Sequence, residues 1–311
     1  MKQGFEKRYI LDEKLGQGTY GTVYKAYDKQ ERKEVACKIL REKAKQKDKN
    51  AFVFEAQLLS RLHHPSIPKY YDFGIMENGH YYFIMEYAKG KTLEEKMQEK
   101  DLSLNDAISI FCRLCNTLYY VHSLDVIHND IKPRNIIITD DNHVVLIDWG
   151  SAKLVDKGAI ARKERAKQST KGTPLYIAPE LILQFLPSSA SDQYALGVIL
   201  YELLTGDYPF YERDINTLFF RVCCEDATMP MREQLRYDIS EPVLKVCLKL
   251  LSKKPEERFE NCIDVNMALH HAFSQQAIEK QNSFSKHPQQ KWFAPPLVSI
   301  KIPENKNSYA A

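Results

Sequence analysis

Acidic, basic and amide side chains stand close together in the stretch HNDIKPRN, residues 128–135. Asp130 is followed by Lys132 two positions later and by Asn135 five positions later, and Asp148 comes after two short apolar runs, NIII and VVLI. An aspartate can accept a proton from a hydroxyl, a lysine can offset negative charge, and carboxylate and amide oxygens can bind Mg²⁺. This combination and spacing are typical of phosphoryl-transfer chemistry.

A glycine-rich stretch near the amino terminus, GQGTYGTV, predicts a phosphate-binding loop. Its glycines, Gly16, Gly18 and Gly21, let backbone N–H groups approach phosphate oxygens without obstruction by a side chain. A dinucleotide-binding fingerprint is the alternative, but that motif needs a helix directly after its last glycine. The residues that follow, TVYKAYD, predict a strand, so the stretch resembles the glycine loop of protein kinases.

The tetrapeptide VACK places Lys38 in an alternating strand, with Ala36 facing the same side. In the V-A-x-K pattern, the lysine binds the nucleotide phosphates and pairs with a glutamate of the following helix. Glu55 is the candidate, because apolar residues flank it on the helix face that should turn inward. A solvated helix carboxylate is the alternative interpretation.

The elements that must position these residues fall into two parts. The first ninety or so residues predict an antiparallel sheet, with a hairpin turn at Asn78-Gly79 and one helix over NAFVFEAQLLSRLHH. From KTLEEKMQEK, where Thr92 and Glu95 form a capping box, to about His271, apolar residues mostly follow helical spacing. The sequence therefore predicts a strand-rich lobe, a larger helical lobe and a ligand cleft between them.

From about Tyr9 to Ala272 the chain resembles the eukaryotic-type (Hanks-type) serine/threonine protein kinases. Besides the stretches above, the resemblance rests on DWG at 148–150, GTPLYIAPE at 172–180, SDQYALGVILYELLTGDYPF at 191–210 and KKPEER. It implies an α+β, bilobal fold: an antiparallel-sheet N-lobe with one helix at about 9–86 and a mainly helical C-lobe at about 91–272. We expect residues 273–311, which are polar and contain proline, to form a flexible tail.

The resemblance also implies residue roles. Asp130 would accept the proton of the substrate hydroxyl, Lys132 would offset charge on the transferring group, and Asn135 and Asp148 would bind Mg²⁺. Glu180 would pair with Arg258, Asp192 would brace the catalytic loop, and Thr173 would contact Asp130 and Lys132. The implied ATP site comprises Leu15, Gly16, Gly18, Gly21, Val23, Ala36, Lys38, Glu55, Glu86 and Ala88.

Two residues depart from the common family pattern. Trp149 replaces the phenylalanine of D-F-G, and a large aromatic ring there can still fill the slot beneath the helix of Glu55. Asn129 replaces the arginine that grips an activation-segment phosphate in many relatives, which makes this a non-RD, His-Asn-Asp loop. Because none of the predicted chemical roles uses residue 129, we expect a working enzyme that does not depend on activation-segment phosphorylation.

A catalytically inactive pseudokinase scaffold is the alternative function. Such proteins usually lack the lysine, the catalytic aspartate or the metal-binding aspartate, and here Lys38, Asp130, Asn135 and Asp148 are all present. Autophosphorylation at Ser169 or Thr170, within a basic segment, is a further hypothesis.

Composition narrows the function classes. The chain has 311 residues and a net charge of +3, which is far from the strongly basic balance of a dedicated nucleic-acid binder. Basic runs at 41–49 and 153–171 suggest acidic protein substrates, with plain solvated surface as the alternative. No apolar run is long enough for a membrane span, and seven cysteines without a disulfide framework predict a cytoplasmic protein with reduced thiols.

Overall fold

The computed structural model describes residues 4–18, 20–100, 102–155, 173–231 and 235–284, the last ten of these by their backbone alone. In these residues an antiparallel-sheet lobe precedes a mainly helical lobe, which confirms the predicted α+β architecture. The D-W-G residues and the catalytic loop lie on short elements next to the junction of the two lobes.

The N-lobe contains one five-stranded antiparallel sheet with the order β1-β2-β3-β5-β4. The predicted Asn78-Gly79 turn joins the last two strands, and Gly79 takes a φ of +84° that glycine adopts without strain. Val23 stands opposite Lys38, and Ala36 stands opposite Met85. The strands are β1 (Tyr9–Gln17), β2 (Gly21–Asp28), β3 (Lys33–Leu40), β4 (Tyr70–Ile75) and β5 (Tyr81–Glu86).

Two helices accompany this sheet. Helix α1 (Phe5–Arg8) lies ahead of the predicted domain start and was not expected, and Phe5 is buried against the outer face of the sheet. Helix α2 (Gln46–Leu59) begins earlier than the apolar spacing predicted. The reason is a polar cap, because the carboxylate of Asp48 accepts a hydrogen bond from the backbone N–H of Lys45.

The C-lobe is built around helices that enclose one apolar core. The helices are α3 (Leu93–Gln98), α4 (Leu104–Ser123), α5 (Pro179–Ile182), α6 (Ser189–Thr205), α7 (Ile215–Cys224), α8 (Glu241–Leu250) and α9 (Cys262–Phe284). The predicted capping box of α3 is confirmed: Thr92 Oγ1 accepts from the backbone N–H of Glu95, and the Glu95 carboxylate accepts from that of Thr92. Helix α6 is buried over most of its length.

Within the described residues, five short strands flank the loops that carry the polar site residues. Strands β8 and β9 form a hairpin between Asn135 and Asp148, and β7 pairs with β10 on either side of the catalytic loop and the D-W-G turn. These strands are β6 (Gly90–Thr92), β7 (Val126–Ile127), β8 (Ile136–Thr139), β9 (Val144–Leu146) and β10 (Lys153–Leu154).

Helix α9 crosses the predicted boundary at residue 272 and continues to Phe284. The polar composition after Ala272 had suggested an irregular tail, but polar residues can extend a helix whose first turns are anchored in a core. The remainder of the predicted tail, 285–311, lies outside the described residues. Along the described helices, none is both long and apolar enough to cross a membrane.

Candidate active site

Lys38 links the two lobes through a pair of carboxylates. Its Nζ lies 2.6 Å from Glu55 Oε1 and 2.9 Å from Asp148 Oδ1. The predicted ion pair with Glu55 is therefore confirmed, and both side chains are almost fully buried. Asp148, just before the turn Trp149–Ser151, takes a left-handed conformation that directs its carboxylate towards Lys38.

Burial and charge act in opposite directions on this triad. Burial lowers the pKa of Lys38, but the carboxylates of Glu55 and Asp148 outweigh it and hold that pKa above the ordinary value of lysine. Burial also raises the pKa of Asp148, yet the Lys38 ammonium brings it below its usual value. For Glu55, burial dominates and its pKa is raised. The shifts of Lys38 and Asp148 keep both of these groups charged at neutral pH.

The glycine loop closes over the same triad. Gly18 is so close that an added Cβ would lie 3.3 Å from Lys38 Nζ and 3.4 Å from Asp148 Oδ1. At Gly21 an added Cβ would lie 2.4 Å from the carbonyl oxygen of Ile39, which real Cβ atoms do not tolerate. Glycine at position 18 therefore lets the loop approach the charged groups closely, and glycine at position 21 lets β2 pack closely on β3.

The catalytic-loop residues form a second polar cluster. Lys132 Nζ donates to Asp130 Oδ2 at 2.8 Å and to Thr173 Oγ1 at 2.9 Å, so the predicted contact of Thr173 is confirmed. Asn135 Nδ2 donates to the backbone oxygen of Asp130 at 2.8 Å, which leaves the Asn135 amide oxygen as the group that can accept or bind a metal.

Asp192 braces this loop from α6, as predicted. Its carboxylate accepts the backbone N–H groups of His128 and Asn129, each at 2.9 Å. It also accepts from the Nε2 of His122 at 2.8 Å. Since two consecutive N–H groups point at one buried carboxylate, the backbone immediately before Asp130 is fixed.

His128 connects the loop to the D-W-G turn. Burial lowers its pKa, so the ring is neutral, and its Nε2–H donates to the carbonyl oxygen of Ile147 at 3.1 Å. Its ring stands edge-on to that of Trp149, with ring centres 4.6 Å apart. Trp149 is fully buried in the core, and its turn packs against α2, as predicted for a ring beneath the helix of Glu55.

The remaining predicted nucleotide-site residues lie along the sheet. Val23, Ala36 and Lys38 share one face, because Val23 pairs with Lys38 and residues two apart on a strand face the same way. The other predicted positions are Leu15 and Gly16 on β1, Glu86 at the end of β5 and Ala88 just beyond it.

The predicted pair between Glu180 and Arg258 lies apart from these groups, within the C-lobe. Both guanidinium Nη atoms lie 2.8 Å from the two carboxylate oxygens. The pair joins α5 to the segment before α9, so it anchors the end of the GTPLYIAPE stretch.

Sequence reasoning missed several contacts that shape the site. His122 and Ser151 were not singled out, yet His122 binds Asp192, and the backbone oxygen of Ser151 accepts from the side chain of Asn129. No sequence signal pointed to them, because their partners are distant along the chain. Ser169, Thr170 and most of the basic run at 153–171 lie outside the described residues.

Comparison with known proteins agrees with this geometry. Residues 9–274 match the protein kinase domain family. The chain is 31% identical over 261 residues to a probable serine/threonine-protein kinase of Clostridium acetobutylicum, covering 83% of this chain and 39% of that protein. It is 33% identical over 274 residues to serine/threonine-protein kinase PknB of Mycolicibacterium smegmatis, covering 86% and 43%, respectively.

Serine/threonine-protein kinase PknD of Chlamydia trachomatis is 31% identical over 297 residues, covering 85% of this chain and 31% of the relative. The chain thus spans less than half of the length of these three relatives.

Proposed function

Since the chain belongs to the protein kinase domain family, we propose that it transfers the γ-phosphoryl group of ATP to Ser and Thr hydroxyls of proteins. The observation that carries the proposal is the arrangement of charged groups in the cleft. Lys38 and Asp148 lie 2.9 Å apart under the glycine loop, and Asp130, Lys132 and Thr173 form a connected cluster on the C-lobe side.

Nucleotide binding would use the inner face of the N-lobe sheet. The adenine ring would pack between Leu15, Val23 and Ala36 and hydrogen-bond the backbone of Glu86 and Ala88. The phosphates would lie under Gly16, Gly18 and Gly21, where Lys38 supplies a positive charge already held in place by Glu55.

The residues present fit a metal–phosphate complex. Asp148 has a carboxylate with a lowered pKa whose side chain stays 21% exposed, and the amide oxygen of Asn135 is left available by its own hydrogen bonding. Both are oxygen ligands of the kind that Mg²⁺ prefers. When bound, Mg²⁺ neutralises charge on the phosphate oxygens.

Asp130 would accept the proton of the attacking hydroxyl. Lys132 and Thr173 hold its carboxylate in one orientation, and Asp192 holds the preceding backbone. Catalysis would then consist mainly of positioning and charge neutralisation.

We also propose that activity does not need a phosphate on the activation segment, the stretch between Asp148 and Glu180. Asn129 carries no charge that would have to be balanced by such a phosphate. We further propose a preference for acidic substrates, which the basic runs at 41–49 and 153–171 suggest. The cytoplasmic location stays a prediction.

The decisive experiment compares the wild-type chain with Asp130→Asn. We expect transfer of radiolabelled phosphate from ATP to a generic protein substrate to fall by about 10²–10⁴-fold, the usual contribution of a general base. Asp12→Asn, which alters an exposed carboxylate on β1, serves as the matched control and should keep full activity. Equal transfer by the wild type and Asp130→Asn would favour the pseudokinase alternative.

A further inference from the structure

Asn129 has an unusual environment for a residue without a predicted chemical role. It is 9% exposed and has a φ of +63°, a left-handed conformation that asparagine tolerates better than most residues. This backbone turn directs its N–H to Asp192 Oδ1 at 2.9 Å, which frees the side chain to make contacts elsewhere.

The side-chain amide forms a contact just beyond the end of a strand pair. In the antiparallel pair of β7 and β10, Lys153 stands opposite Ile127 and Leu154 opposite Val126. Asn129 follows β7 by two residues and Ser151 precedes β10 by two, so the paired strands bring the two residues near each other. The backbone N–H of Asn129 donates to Asp192, and the side-chain Nδ2 of Asn129 donates to the Ser151 carbonyl oxygen at 3.3 Å. This contact joins the catalytic loop to the start of the activation segment.

The other end of the amide is buried. Since a carbonyl oxygen can only accept, the nitrogen of the amide must face Ser151 and the oxygen must face the other way. Across residues 4–155, 173–231 and 235–284, apart from positions 19 and 101, Asn129 Oδ1 has no hydrogen-bond partner. Burying an acceptor without a donor is unfavourable.

Asn129 also lines a small cavity whose walls are partly polar and partly apolar. The cavity measures about 20 Å³, and a single water needs roughly 10–15 Å³. It lies between the catalytic loop, the start of α6 and the returning end of the activation segment. Its polar walls come from Asn129, Asp130, Thr173, Tyr176, Ser191 and Asp192.

We propose that Asn129 is a positioning residue that holds both ends of the activation segment without a phosphate. Its Nδ2 fixes the start of the segment at Ser151, and its Oδ1 accepts a hydrogen bond from one buried water that bridges to the end at Thr173–Tyr176. This inference rests on the proposed kinase function and specifies how the catalytic loop would remain ordered in an unphosphorylated enzyme.

The test uses the full chain after phosphatase treatment, with two variants. Asn129→Gly keeps the positive φ and removes the amide, and Asn129→Asp keeps the volume but cannot donate to Ser151. We expect both to lower kcat about tenfold, while the KM for ATP changes by less than about twofold because Asn129 does not contact the nucleotide-site groups. Amide hydrogen exchange should accelerate in peptides covering 149–155 and stay unchanged in β1–β3.

Asn142→Gly is the matched control, because Asn142 has a φ of +62° in the exposed turn between β8 and β9. It should match the wild type in kcat and in exchange at 149–155. A kcat within about twofold of the wild type for both Asn129 variants would overturn the positioning role.

A high-resolution crystal structure tests the water bridge separately. An ordered water within hydrogen-bonding distance of Asn129 Oδ1 is expected, and a side chain of the 156–172 segment in that place would overturn the bridge. If the wild type transfers no more phosphate than Asp130→Asn, the proposed function fails instead, while hydrogen exchange still reports on the contact to Ser151.

Discussion

Two buried ion pairs, one within the C-lobe and one between the two lobes, are built in opposite ways. In the C-lobe, Arg258 donates five hydrogen bonds: two to Glu180 and three to backbone oxygens, at 2.7–3.3 Å. Between the lobes, Lys38 binds Glu55 and Asp148, but Glu55 Oε2 has no partner within the described chain. In the pair of Arg258 and Glu180 every guanidinium donor has a partner, so we call it the saturated pair. The pair of Lys38 and Glu55 leaves Glu55 Oε2 without a partner in the part of the chain that the structure describes, so we call it the unsaturated pair.

This difference separates a structural contact from a binding contact. A guanidinium has five N–H donors, and all five are used at Arg258, so nothing remains for a ligand. An ammonium has three donors, of which the Lys38 bonds to Glu55 and Asp148 account for two. The third N–H of Lys38 is not used by these two bonds, so it can donate to a phosphate group.

The largest effect that we predict breaks the saturated pair. Arg258→Met would leave the buried Glu180 carboxylate without its cation and, among the described residues, with only the hydrogen bond from Ser191 Oγ, so we expect a loss of about 3–5 kcal/mol in the free energy of unfolding. Thermal melting should show a fall of roughly 6–20 °C. Lys245→Met, which removes an exposed i,i+4 partner of Glu241, is the control and should leave the melting temperature unchanged. Equal melting of Arg258→Met and the control would show that saturation adds no stability.

Breaking the unsaturated pair should affect activity more than stability. We expect Lys38→Met to lower kcat/KM at least about 100-fold, which is about 2.7 kcal/mol of transition-state stabilisation. The melting temperature should fall less than in Arg258→Met. The reason is that both partners tolerate the loss of Lys38. Burial already raises the pKa of Glu55, so this carboxylate can take up a proton, and the Asp148 side chain is partly exposed to water. Radiolabel transfer and thermal melting on the same samples test this, and a larger melting loss than in Arg258→Met would contradict it.

The sequence was informative where local patterns and motif spacing determine structure. The strand runs and the Asn78-Gly79 turn predicted the hairpin, and Thr92 with Glu95 predicted a helix start. The motif set also predicted pairs that are distant along the chain, such as Lys38 with Glu55, because the resemblance to a known fold indicates which residues lie close together in space.

The sequence was uninformative where a contact depends on backbone geometry alone. From the sequence, Asn129 was notable only for the charge that it lacks. Its bond to Ser151 depends on a left-handed φ and on the pairing of β7 with β10, which brings the two segments together. The length of α9 was missed for a different reason. Polar composition predicted an irregular chain after residue 272, whereas anchoring of the first turns of the helix decided the outcome.

Lys253 extends the comparison to a third cation, whose Nζ is buried without any acceptor in the described part of the chain. Its Nζ lies 4.1 Å from the centre of the Phe210 ring, and burial lowers its pKa from 10.5 to about 8. Between these two pH values the unfolded chain binds more protons than the folded one, so stability should rise with pH. Below about pH 8 the charged ammonium is destabilising.

We therefore expect Lys253→Met to raise the free energy of unfolding at pH 7 by about 1–2 kcal/mol, after discounting for partial exposure and the lost contact with the ring. The gain over the wild type should shrink as pH rises from 8 to 10.5, which urea unfolding across that range would measure. Lys249→Met, at an exposed lysine over Phe259, is the matched control. If Lys253→Met raised the free energy of unfolding by the same amount at every pH, the gain would come from packing and not from removal of an unpaired charge.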